Sequence, residues 1–242
     1  MKELISSIKN ASFCSAFTGA GISTFSGIRD FRGKNGLYND EDADKIFDLS
    51  YFMQDPSFYY RKSKKFIYDF EDKKPGIIHE LLADIEKSGM LKTVITQNID
   101  LLHQKAGSKD VIEVHGSPSV HRCLSCGTTY SFIEIASIVQ NDETPECRTC
   151  GGIIKPDITF FGESLPASAI DRAFEVAAES DLMLVLGSSL VVQPAASIPL
   201  ETVRRGGRIV IVNDMKTPLD DYAWKTFSDL EEFCTELRQA LL

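Results

Sequence analysis

Ser12-Phe13-Cys14-Ser15-Ala16-Phe17, running directly into Thr18-Gly19-Ala20-Gly21-Ile22-Ser23, is the stretch on which the reading of this chain turns. Six residues without a charge read as a buried strand, and the glycines after it read as a strand-to-helix turn. Such a turn lets the backbone come close to a pyrophosphate, while the first N–H groups of the following helix favour its charge. The loop lacks the third glycine of the usual dinucleotide fingerprint, so a tight structural turn stands as the alternative.

Working outward, further short aliphatic runs lie at Thr93–Thr96, Val111–Val114, Asp181–Leu186 and Arg208–Val212. Between them Ile77, Ile78, Leu81, Leu82 and Ile85 share one helical stripe, opening near Pro75 and stopping at Gly89. A last helix puts Leu230, Phe233, Leu237 and Leu241 on one face, with Ser228 and Glu231 at capping-box spacing. Strands alternating with helices predict an α/β fold whose mostly parallel sheet is covered on both faces. Ligands then bind at the carboxyl ends of the strands, where Gly187-Ser188-Ser189, Asn213 and Thr96-Gln97-Asn98-Ile99-Asp100 fall. Together these ends predict a nucleotide crevice. His115 follows the strand Val111–Val114, a placement from which an imidazole can act as a base near neutral pH. His79, His103 and His121 read as hydrogen-bonded structural residues, with His103 placed to brace the Asp100 loop.

Two segments break the alternation. Residues 34–73 (Lys34–Lys73) are polar and aromatic without sheet periodicity, and 117–156 hold four of the six cysteines; they read as insertions packing together beside the sheet. Cys123-x-x-Cys126 and Cys147-x-x-Cys150, 20 residues apart, each end in a glycine-bearing knuckle and supply four thiolates for a tetrahedral zinc. Four protein ligands leave no open position, which makes that zinc structural; two redox pairs are the alternative. Cys14 and Cys234 read as buried apolar residues.

The 242 residues carry 26 Lys+Arg against 35 Asp+Glu, a formal charge of −9, with 43% apolar and 25% charged residues. That is a globular composition, and its acidity argues against affinity for nucleic-acid phosphates or anionic lipid while favouring basic peptides. No apolar run approaches the length of a membrane span, and Lys2, Glu3 and Lys9 interrupt any signal-peptide core, so a reducing, cytoplasmic location is expected.

The motifs also resemble one family, the sirtuins, NAD-dependent protein lysine deacylases. The matching residues, in family order, are Gly19-Ala20-Gly21-Ile22-Ser23-Thr24, Gly27-Ile28-Arg29-Asp30-Phe31-Arg32-Gly33, Thr96-Gln97-Asn98-Ile99-Asp100, His115-Gly116, the cysteine pairs, Phe161-Gly162-Glu163, Gly187-Ser188-Ser189-Leu190 and Val212-Asn213. The extent of the chain is similar to bacterial or archaeal members without regulatory extensions.

The resemblance implies a Rossmann-like doubly wound parallel sheet built from 1–33, 74–116 and 157–242, and a smaller domain made of a helical module, 34–73, and a zinc ribbon, 117–156. It implies NAD with its pyrophosphate over Ala20, Gly21 and Ser188 and its adenosine near Ser189, Asn213 and Asp229. Its nicotinamide end would meet Phe31, Ile99 and Asp100, with Gly19, Thr24, Asp30, Arg32, Gln97 and Gly187 completing the set. Asn98 and His115 are the implied catalytic residues. An acetyl-lysine peptide would add as a strand between Phe161, Gly162, Glu163 and Leu165 on one side and Leu190, Val191 and Val192 on the other. NAD is then a consumed reagent: the acyl oxygen attacks C1′ as nicotinamide leaves, and His115 helps pass the acyl group to the 2′-oxygen, giving 2′-O-acetyl-ADP-ribose.

Two departures stand out. Arg29 replaces the family proline, freeing a φ angle and adding a charge beside Asp30. Phe58, three residues before Arg61, leaves no carboxylate clamp for acidic acyl groups, which favours neutral ones. Rival readings are protein ADP-ribosyltransfer from the same NAD site and a non-catalytic NAD or ADP-ribose sensor; a nucleic-acid-binding ribbon is disfavoured by its scarcity of cations.

Overall fold

The computed structural model describes residues 1–33 and 36–242, so Lys34, the expected start of the helical module, lies outside the described residues. Nine strands occur among the described residues in chain order: β1 (Cys14–Thr18), β2 (Thr93–Thr96), β3 (Val111–Glu113), β4 (Gly116–Cys123), β5 (Thr129–Ser131), β6 (Ile154–Ile158), β7 (Leu182–Leu186), β8 (Arg208–Val212) and β9 (Lys225–Phe227).

Six of them form one parallel sheet in the order β3-β2-β1-β7-β8-β9. Counted within the sheet this is the 3-2-1-4-5-6 order of a Rossmann-like doubly wound fold. All five residues of β1 are buried, which is why it reads as an apolar run without alternation. The two faces separate with period two along β7. Leu182, Leu184 and Leu186 pack with Leu4, Ile78, Leu82 and Phe233 from three helices, whereas Met183 and Val185 pack with Ala173, Val176 and Ile198 from two others.

β1 begins two residues later than its sequence suggests. The carboxylate of Asp181 accepts the N–H groups of Ser12 at 2.7 Å and Phe13 at 3.1 Å, diverting them from the strand ladder and keeping Asp181 itself outside β7. The expected capping box at Ser228 and Glu231 is also displaced. Asp229 caps the last helix, Leu230–Leu241, by accepting Glu232 N–H at 2.9 Å, and a carboxylate there meets the positive end of the helix dipole. A true capping box forms instead between Ser131 and Glu134.

The two insertions do pack on each other. Phe47, Phe52, Tyr59, Tyr60 and Tyr68 share a core with Tyr130, Phe132, Ile135, Ile154 and Phe160, roofed by the small antiparallel sheet β5-β4-β6. Two polar tips within this core are paired, the Tyr60 hydroxyl donating to the Ile154 carbonyl at 2.7 Å and Tyr68 meeting His121 Nε2 at 2.9 Å, while the buried Tyr59 hydroxyl has no partner among the described residues. Among the described residues no helix is long and apolar enough to cross a membrane.

Candidate active site

The sheet order reverses between β1 and β7, and a doubly wound sheet binds its ligand at such a switch point. Here the loop after β1 lies against the loop after β7: Gly19 N–H donates to the Leu186 carbonyl at 3.0 Å and Gly21 N–H to the Gly187 carbonyl at 2.9 Å. Gly187 has φ +62°, and a Cβ on it would stand 2.6 Å from the Ile22 nitrogen. These glycines are therefore required first by the approach of one loop to the other. The chain continues from Ala20 to Ser26 as a 3-10 helix.

Three cavities converge at these strand ends, and Phe31 borders all of them. One of about 100 Å³ lies over Gly19, Ala20, Gly21 and Gly187, with Asp30, Arg32, Gln97, Asn98, His115, Ser188, Ser189 and Asn213 around it. A second of about 300 Å³ runs from Ala20, Asn98, Ile99 and Asp100 into an apolar recess of Ile28, Phe47, Phe66 and Phe70. A third of about 510 Å³ passes from His115, Gln97, Arg32 and Ile99 between Phe160, Phe161, Gly162, Glu163 and Leu165 and the facing Val192.

The loop after β2 is held by its own polar side chains. Asn98 donates through Nδ2 to the Gly19 carbonyl at 3.2 Å and to Ser23 Oγ at 3.1 Å, and Ser23 donates to Asp100 Oδ2 at 2.6 Å. Gln97 Nε2 ties this loop to the β7 end through Ser188 Oγ at 2.7 Å. His103 braces it from beneath. Thr18 Oγ1 donates to Thr96 Oγ1, so the 2.9 Å contact with His103 Nε2 has the imidazole as donor, and Thr96 in turn accepts Asn98 N–H at 3.0 Å. Asn98 Oδ1 is left buried without a protein partner. An orphan acceptor where the first two cavities meet fits the donor groups of a bound nucleotide or amide.

His115 Nδ1 lies 2.9 Å from the Gln97 carbonyl. A carbonyl only accepts, so Nδ1 carries the proton and Nε2 presents its lone pair. Burial lowers the pKa of this imidazole below its usual value, against the Gln97 hydrogen bond and with Arg32 adding to the lowering. His115 is thus a neutral base at pH 7. Arg29 forms an ion pair with Asp40 at 2.6 Å and donates to the Gly36 carbonyl at 3.1 Å.

Away from the crevice, the sulfurs of Cys123, Cys126, Cys147 and Cys150 all lie within 4.8 Å of one another. Cys123–Cys150 and Cys126–Cys147 are 3.5 Å apart, close to the ~3.8 Å edge of a tetrahedron with zinc–sulfur bonds of about 2.3 Å. Gly127 and Gly151 turn the two knuckles at φ +75° and +72°. The Tyr130 hydroxyl donates to Cys147 Sγ and pulls its pKa down to about 5. Although the Gly152 N–H favours its thiolate, the neighbouring sulfurs push Cys150 up to about 12, so full deprotonation of the cluster calls for a cation among the sulfurs. The donor set fits Zn²⁺. Cys14 and Cys234 are buried in the sheet core.

The structure brings most of the sequence-derived site residues together and leaves four aside. Thr24 turns its hydroxyl back to the Gly21 carbonyl, and the Asp229 carboxylate is engaged in capping; neither lines any of these three cavities. Leu190 is buried at φ +55°, so it can face a peptide only through its backbone, while Val191 is half exposed beside it. Ser23, buried between Asn98 and Asp100, was visible in the motif but not assigned a role. Lys155, one of the few cations of the ribbon segment, is 5% exposed.

With this geometry in hand, comparison with known proteins is unambiguous. Residues 19–194 match the Sir2 family. The NAD-dependent protein deacetylase of Thermotoga maritima is 43% identical over 240 residues, covering 99% of this chain and 97% of its own. Among solved structures, a Sir2 variant with deacetylated p53 peptide and 3′-O-acetyl ADP-ribose is 43% identical with a TM-score of 0.94, and a Sir2 complex with p53 peptide and NAD⁺ is 42% identical with a TM-score of 0.91; the chain covers 99% of itself and 97% of theirs in both. The chain therefore belongs to the Sir2, or sirtuin, family.

Proposed function

We propose that this protein is an NAD-dependent protein lysine deacetylase that moves the acetyl group of acetyl-lysine onto ADP-ribose, releasing nicotinamide and 2′-O-acetyl-ADP-ribose. The observation that carries the reading is His115, which borders two of the three cavities and presents an unprotonated Nε2. Bound NAD supplies an electrophilic ribose carbon and the acceptor hydroxyls. The residues supply placement and one proton acceptor. Ala20, Gly21 and Ser188 are the floor for the pyrophosphate, Ser189 and Asn213 flank the adenosine end, and Phe31, Ile99 and Asp100 close over the nicotinamide. Asn98 Oδ1 accepts from the bound nucleotide, and His115 Nε2 takes a proton from a ribose hydroxyl. The peptide adds as a strand between Phe161–Leu165 and Leu190–Val192, so that backbone bonds give affinity and sequence is loosely read. The acyl-lysine side chain enters the cavity walled by Phe160 and Ile158, an apolar lining suited to neutral acyl groups.

We assign the NAD-binding unit to 1–33, 74–116 and 157–242, and the small unit to 34–73 and 117–156, a division the cores support except that Ile158 and Phe160 pack with the insertions. A cytoplasmic location rests on the reducing conditions that a four-thiolate zinc site needs.

The test is incubation with acetyl-lysine peptide and NAD, read by mass spectrometry. Wild-type protein is expected to yield O-acetyl-ADP-ribose, and His115→Ala to lose about 10²–10⁴-fold in rate while staying folded. ADP-ribose left on protein, or full activity of the variant, defeats the proposal.

A further inference from the structure

β6 leads out of the zinc ribbon, past Cys150, toward the loop on which the peptide is proposed to dock. Its second residue, Lys155, is 5% exposed, an unusual position for a lysine. Its Nζ donates to the Ile158 carbonyl at 2.7 Å and the Pro156 carbonyl at 3.2 Å, forms an ion pair with Glu163 Oε2 at 2.8 Å, and stands 4.1 Å from the centre of the Phe160 ring. The same Glu163 oxygen accepts the Phe160 N–H at 2.8 Å, and Glu163 N–H closes the turn onto the Phe160 carbonyl at 3.0 Å. The ammonium and Oε2 of the carboxylate are both engaged by protein groups. Both are spent on the shape of residues 160–163.

That turn is anchored on two further sides. Thr159 N–H donates to the carbonyl of His115 at 2.8 Å, and Phe161 exchanges main-chain bonds with the helical module, accepting from Leu49 N–H at 3.1 Å and donating to the Phe47 carbonyl at 2.7 Å. Lys155 sits beneath the point where these anchors meet. A buried ammonium must keep its partners, so the side chain holds the turn in one arrangement. Burial lowers its pKa, and Glu163 works against that lowering.

We propose that Lys155 is a positioning residue for the acyl-lysine peptide: through Glu163 it latches the 160–163 turn as a strand template, tying the geometry of the peptide groove to the zinc ribbon. The inference rests on the peptide lying along Phe161–Leu165. An ordinary structural lysine affects all substrates alike. A latch affects the peptide selectively.

The experiment is steady-state deacetylation of an acetyl-lysine peptide, varying peptide and NAD separately, with Lys155→Met, Glu163→Gln, the double variant, and Val192→Arg as a control on the opposite wall of the groove. Lys155→Met is expected to raise the peptide KM at least tenfold with the NAD KM within twofold and zinc content retained. Glu163→Gln, which keeps an acceptor for Phe160 but loses the charge, should raise it three- to tenfold, and the double variant should be no worse than Lys155→Met. A peptide KM within twofold of wild type in Glu163→Gln, or equal rises in both KM values, overturns the latch. Should Lys155→Met fail to fold, Glu163→Gln decides. If Val192→Arg also leaves the peptide KM unchanged, the groove reading has failed; if it alone raises it, the latch has failed.

Discussion

Because the Gln97 carbonyl can only accept, the proton of His115 is held on Nδ1 and the catalytic lone pair on Nε2. Burial lowers the pKa of this ring from 6.5, and the consequence for rate has a definite sign. A base works only when unprotonated, so activity is full above the lowered pKa and falls as pH drops through it. The kcat/KM profile should therefore carry an acid limb centred below pH 6.5, and that limb is expected to move upward when Arg32→Ala removes a cation that opposes protonation. An acid limb centred above 6.5 in wild-type protein defeats this account. The neighbouring Asn98 shows how little of such a site can be read from residue type alone. Its two amide donors are satisfied by Gly19 and Ser23, and only the remaining Oδ1 is available for ligand, a division that spacing along the chain cannot reveal.

Elements, in contrast, were largely legible. β7 and β8 match their expected runs almost to the residue because strands buried on both faces admit few polar residues, and the cysteine knuckles mark their own turns. What failed were ends set by distant side chains. Asp181, 169 residues from Ser12 in sequence, decides where β1 begins, and nothing near Ser12 announces it. The burial of Lys155 is hidden from the sequence for the same reason, since its partner Glu163 lies on a turn with no regular spacing to it. The departure at Arg29 was legible as a lost proline but not as a tether to Asp40. The zinc ribbon is the element whose removal tests these relations most directly. Cys123 and Cys147 are part of the same core as the aromatic residues of the helical module, so loss of the metal should loosen both insertions together. Purified protein is expected to hold about one zinc per chain, and Cys147→Ser to lose it along with ~10 kcal/mol or more of metal-binding free energy. Elemental analysis and thermal unfolding provide the check. A zinc-free wild-type protein, or a Cys147→Ser variant melting as wild type does, contradicts the structural role.

Across the whole molecule, two opposing effects govern stability as the solution is acidified. The net charge of −9 declines, which relieves self-repulsion and favours the compact state. Against this stand buried imidazoles: burial depresses His103 and His121 from 6.5 to about 3, and lowers His79 as well. An unfolded chain takes up these protons near pH 6.5 whereas the folded one does not, so stability is fully present above 6.5 and drains away as pH falls toward 3. At pH 5 each of the two most depressed groups costs about 2 kcal/mol, at ~1.4 kcal/mol per pH unit over roughly 1.5 units. Together they consume a large share of the 5–15 kcal/mol that holds a typical domain, and they exceed the weak screened repulsion of dispersed surface charge. The exposed carboxylates with lowered pKa values titrate below this window, while Glu113, whose pKa burial raises from 4.5, opposes the histidines without matching their number. The urea midpoint should therefore fall steadily from pH 7.5 to 5 at constant ionic strength. His121→Gln keeps a partner for the Tyr68 hydroxyl but cannot titrate, so its midpoint should start lower and fall with a visibly shallower slope. Acidification also weakens thiolate–zinc bonding, but that contribution is shared by both proteins and cancels in the difference of slopes. Parallel slopes for wild type and variant would show that His121 is not buried neutral in the small module, and with it that the packing of Tyr68, His121 and Phe132 is not the one that joins the two insertions.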